Sequence, residues 1–109
     1  MADLTGRLAD LSKTVYGMYR RETDPGRREE YKKRYEQLSH LLEQAAALNF
    51  EAHDPACREA ADQLKTAKKK LKKIRRKIPK GPENFALFIE LVENIDKLLT
   101  GIFPKFRKN

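Results

Sequence analysis

Apolar residues return along the chain at alternating steps of three and four, and each break between the runs contains proline. That spacing keeps side chains on one stripe of a helix, so four successive helices are predicted. Leu4, Leu8, Leu11, Val15 and Met18 define the first, over about residues 3–21, with Asp3 suited to its N-cap. Tyr19 borders the stripe and Tyr16 projects away from it. Gly6 and Gly17 lie inside, each weakening a helix by about 1 kcal/mol relative to Ala, so fraying near Gly17 is expected.

Asp24 followed by Pro25 pairs an N-cap with a first helical position and starts a second helix, over about 25–49. Its inward residues are Tyr31, Tyr35, Leu38, Leu42 and Ala45, with Leu41 and Leu48 widening the face. The same device recurs at Asp54 and Pro55, opening a third helix over about 54–78, whose seam runs Cys57, Ala60, Leu64, Ala67, Leu71, Ile74 and Ile78. Pro79, Gly81 and Pro82 end it. A fourth follows over about 82–100, carrying Phe85, Phe88, Val92, Ile95 and Leu99, then Gly101 as C-cap. Leu87, Leu91, Leu98 and Ile89 widen its apolar arc to roughly 200 degrees at 3.6 residues per turn. That exceeds what a peripheral helix needs, which points to central placement or to a homodimer interface through Leu87, Leu91 and Leu98. In the tail, 101–109, Ile102, Phe103 and Phe106 are expected to fold back on the helices.

The fold class expected from this pattern is all-α: one domain over 1–109, an antiparallel up-down four-helix bundle. Short breaks make sequential helices neighbours, and the two longest, the second and third, form a long central hairpin. Composition agrees, since 37% charged and 39% hydrophobic residues, few glycines and no Trp fit a small polar-surfaced bundle. At 109 residues the chain is long enough to bury a core without metal or disulfide.

Charge adds the functional hint. The chain carries a net +8, and between Lys65 and Lys80 stand ten Lys or Arg residues and no acid. A merely soluble helix intersperses both signs for i to i+4 pairing, whereas this one does not. In an up-down bundle the first loop, with Arg20, Arg21, Arg27 and Arg28, comes to the same end as the last turns of the third helix. The expected polyanion-binding set is therefore those four arginines with Lys65, Lys68, Lys69, Lys72, Lys73, Arg75, Arg76, Lys77 and Lys80. Lysine predominates in the central run, which favours point-charge contacts with phosphates over bidentate base recognition.

The partner class expected is a polyanion, nucleic acid first, bound with little sequence preference. The alternatives are an adaptor bundle meeting an acidic protein, and peripheral attachment to anionic membrane through the basic run with Phe103 and Phe106. Tyr16, off the stripe near the basic end, is read as a surface tyrosine, with base stacking as the functional alternative. His53 and Cys57, and His40 between Glu36 and Glu43, have helical spacing but lack the second pair that a metal site needs. With one cysteine, two histidines and scattered glycines, no nucleophilic triad or phosphate loop can be assembled, so neither catalysis nor a cofactor is expected. The lone Cys57 and the lack of a long apolar run at the N-terminus or elsewhere make the cytoplasm the expected compartment, without a membrane span.

Overall fold

The computed structural model describes residues 4–48 and 55–102. Among them the chain is all-α, with helices α1 (Leu4–Arg21), α2 (Pro25–Leu48), α3 (Pro55–Lys77) and α4 (Pro82–Ile102), and a 3₁₀ turn (Ile78–Lys80) between the last two. At 1.5 Å per residue, the 24 residues of α2 span about 36 Å, nearly the full length of a molecule measuring 40 × 23 × 22 Å. The long axis is therefore the helix axis of a bundle.

Local chemistry sets the ends of the helices. Asp24 caps α2, its Oδ2 accepting from the Arg27 amide at 2.9 Å, and the amides of Thr23 and Asp24 both donate to Glu22 Oε2. α1 runs unbroken through Gly17, over which Arg21 folds to donate from Nε to the Gly17 carbonyl at 3.2 Å. At the other turn, Asn84 Nδ2 donates to the Lys77 carbonyl at 2.9 Å, tying the start of α4 to the end of α3. Gly101, expected as a C-cap, lies inside α4, which continues one residue further. The expected caps Asp3 and Asp54 and the tail residues Phe103 and Phe106 lie outside the described residues.

Side-chain contacts fix the directions. Ser12 meets Ser39 and Tyr16 meets Tyr35, so α1 and α2 are antiparallel. Arg34 meets Glu93 and Gln37 meets Asp96 at a constant offset, so α2 and α4 run the same way. Each helix touches two others: α1 packs on α2 and α3, and α4 on α3 and α2.

The expected hairpin of the second and third helices is thus not what packs. α2 and α3 sit at opposite corners, and the hairpins are α1 with α2 and α3 with α4. Chain reach explains the difference. Three residues join α1 to α2 and a tight turn joins α3 to α4, but six separate α2 from α3, enough for about 20 Å when extended. That exceeds the diagonal of a bundle with sides of about 8–10 Å.

One hydrophobic core draws on all four helices, with Leu8, Leu11, Leu38, Leu64, Leu71, Phe88 and Leu99 among its most buried members. In α2 the inward leucines are Leu38 and Leu41, while Leu42 and Tyr35 are half-buried at its flank, reversing the order expected for Leu41 and Leu42. Leu91, expected at an oligomer interface, is 9% exposed and belongs to the core of the single chain. Contact with helices on two sides uses much of the wide arc of α4, and the apolar surface left at the expected interface is Leu87, 46% exposed, with Leu98 half-buried.

Leu71 is 1% exposed at the centre of the α3 seam, so Leu71→Ala should cost about 2–5 kcal/mol in urea denaturation. A loss below about 0.5 kcal/mol would show the basic helix to be peripheral. Tyr31 offers a second check. Its ring stands edge-on to Phe85 and Phe88, and burial, reinforced by Glu22 and partly offset by Arg27, pushes its pKa up from 10.0 to about 12. The native state therefore favours the neutral phenol, a contribution present below pH 10 and lost as pH rises through 12. Tyr31→Phe should lose less stability than the wild type across that window in alkaline denaturation, whereas equal losses would place the titration elsewhere.

Candidate functional site

The lysine-rich half of α3 keeps its helix because Leu64, Ala67 and Leu71 are buried while the residues between them reach water. At 100 degrees per residue the cations form two flanks. Lys65, Lys69, Lys72 and Arg76 make one exposed row, and Lys70, Lys73 and Lys77 continue the surface around the outer side. Lys68 and Arg75, seven residues apart on one face, are half-buried, and Lys68 Nζ reaches Asp10 Oδ2 on α1 at 3.3 Å. Among the described residues, Lys68 is the one member of the ten-cation run within ion-pair distance of an acid.

The Asp10–Lys68 contact also sets the register of α1 against α3. Both helices run the same way, so ten further residues on each bring Arg20 level with Ile78. Tyr31 against Phe85 and Phe88 likewise sets the start of α2 beside the start of α4. Arg20, Arg21 and Arg28 are exposed at this end. Arg27 differs, because Glu22 holds it at 3.1 Å. It is therefore the least available of the four arginines to an outside anion, since its Nε is itself buried.

A cleft lies on each side of α2, one lined without acids and the other by acids and cations together. The cleft between α1 and α2, about 260 Å3, is lined by Ser12, Lys13, Tyr16, Tyr35, Ser39 and apolar Ala9 and Leu42, with no acid among them. Tyr16 meets Tyr35 at 5.1 Å and Tyr19 at 6.0 Å between ring centroids, and the Arg28 guanidinium lies 4.3 Å from the centre of the Tyr19 ring. The spacing of apolar residues could not reveal this cluster. Its members come from two helices, and Tyr35 had been assigned to the core.

The larger groove between α2 and α4, about 790 Å3, carries Glu36, Glu43, Glu93 and Asp96 beside Lys33, Arg34, Lys97 and His40. Here Arg34 joins Glu30, Glu93 and the Gln37 side-chain oxygen, and Gln37 Nε2 donates to Asp96 Oδ2 at 2.6 Å. Asp96 is only 6% exposed, and its Oδ1 is buried without a hydrogen-bond partner. This network joins α2 to α4, and its four carboxylates beside three cations leave no excess of positive charge for a phosphate; it reads as the structural side of the molecule.

Among the described residues no three His, Cys, Asp or Glu side chains are placed to hold a metal ion, and no helix is long and apolar enough to cross a membrane. Cys57 is buried, His40 borders the α2/α4 groove, and His53 lies outside the described residues. Comparison of the chain with protein-family models, curated proteins and solved structures finds no match.

If the α2/α4 groove is structural, Gln37→Leu should destabilise the fold by about 1–3 kcal/mol or more, because it leaves a buried carboxylate without its donor. Replacing Gln37 and Asp96 together by Leu should recover much of that loss in urea denaturation. A double variant no more stable than the single one would assign Asp96 another role.

Proposed function

We propose that the chain is a noncatalytic binding module whose basic end takes a polyanion, nucleic acid before others, through phosphate contacts with little sequence preference. One observation carries the reading: nine of the ten cations from Lys65 to Lys80 have no acid partner among the described residues, although acids interspersed within that stretch would have stabilised the helix. Arginines from the first turn of the bundle add to the same end. Phosphate backbones suit such a field, because each neutralised phosphate releases condensed counterion and binding gains from that release. Lysine in the majority favours contacts that position a backbone over contacts that read bases.

The test is the salt dependence of binding to a labelled duplex, read by fluorescence anisotropy. Affinity should fall steeply with salt, each phosphate contact adding about 0.9 to the slope. Lys69, Lys72 and Arg76 are all exposed on one row, so replacing the three by Gln should flatten the slope by up to about three. Stability should change by no more than about 0.5 kcal/mol per site. Asp10→Asn should act in the opposite direction, freeing Lys68. A wild type that binds neither duplex nor single strand at about 50 mM salt, or a triple variant that binds like the wild type, would refute the nucleic-acid reading. The weight would then pass to an acidic protein partner or, if anionic vesicles bind, to a membrane surface.

A further inference from the structure

Resting on the polyanion reading, we infer that the tyrosine cleft between α1 and α2 takes an unpaired nucleobase, so that the protein prefers single-stranded nucleic acid to duplex. Tyr16 is 42% exposed on α1 and has Tyr19 and Tyr35 beside it. A partly exposed ring packed against two others offers aromatic surface on which a base can stack. The adjoining cleft of about 260 Å3 offers the room of roughly nine waters at ~30 Å3 each, enough to admit one nucleobase.

The walls of the cleft match the chemistry of a nucleotide. Ser39, half-buried and hydrogen-bonded at 3.2 Å to the buried Ser12, supplies a hydroxyl at the cleft wall whose remaining capacity can meet a base edge. Lys13 lines the cleft, and Arg20, Arg28 and Lys32 are exposed nearby along the same two helices, leading from the basic end toward it. A phosphate chain lying on those cations would carry its bases past Tyr16. The α2/α4 groove, also large, sets four carboxylates beside three cations, whereas the tyrosine cleft has Lys13 and no acid, so charge favours the tyrosine cleft for the same chain. Bases inside a duplex are stacked on each other and cannot reach a side-chain ring, whereas those of a single strand can.

The experiment compares a 20-mer single strand, the matching duplex, a single strand of abasic sugar-phosphate and inorganic polyphosphate, using wild type, Tyr16→Ala and Tyr16→Phe. Wild type should bind the intact single strand more tightly than the abasic strand and the duplex. Tyr16→Ala should lose about tenfold on the intact single strand and less than about twofold on the other three, and Tyr16→Phe should retain the preference. Equal wild-type binding to single strand and duplex, or a Tyr16→Ala variant that weakens every ligand alike or none, would overturn the inference while leaving the polyanion reading in place. Failure to bind any of the four would overturn that reading itself.

Discussion

The structure depends on the burial of one narrow apolar seam against the electrostatics of the helix that carries it. Along α3, five like-charged pairs stand four residues apart: Lys65 with Lys69, Lys68 with Lys72, Lys69 with Lys73, Lys72 with Arg76, and Lys73 with Lys77. At about 0.2–0.5 kcal/mol each they oppose the helix by roughly 1–2.5 kcal/mol, and as an isolated peptide the segment has little to offset them. Burial of Leu64 and Leu71 alone contributes about 3–6 kcal/mol, so contact with α1 and α4 decides the outcome. α3 is a helix because of its neighbours.

That dependence bears on how the bundle is arranged. α3 lies against α1 and α4 and diagonally from α2, the helix with the most intimate polar contacts to α4. Three of the bundle's acids are committed there: Glu30 and Glu93 hold Arg34, and Asp96 accepts from Gln37. Another reaches α3, through Asp10 and Lys68. The same corner placement that buries the seam also sets α3 apart from the Arg34 and Asp96 network.

Much of the fold was legible because each helix carries its own signal. A step of three and four identifies the stripe, and Asp24 with Pro25 identifies a start that the Arg27 amide then verifies. Neighbour relations carry no such signal. A stripe gives the inward direction of a helix without saying which helix it meets, and a loop length sets only a maximum reach, which is why the diagonal placement of α2 and α3 was missed. Leu91 was misassigned for a related reason: a wide arc marks two-sided contact equally well whether the second side is another helix or another chain. The candidate cations were readable because charge needs no partner to be visible. The tyrosine cleft was not, since Tyr16 and Tyr35 lie nineteen residues apart and meet only when α1 and α2 pair antiparallel.

The seam and the cations also couple stability to the proposed ligand. Repulsion within α3 is a term that burial offsets in the free protein, and a bound polyanion would remove it by placing negative charge along the same row. Acidic residues at those positions would stabilise the free helix to a similar degree, but they would neutralise the field that attracts the ligand. A sequence can satisfy one of these demands on α3 and not both. The unbroken run from Lys65 to Lys80 satisfies the second, leaving to Leu64, Ala67 and Leu71 the work of holding the helix in place.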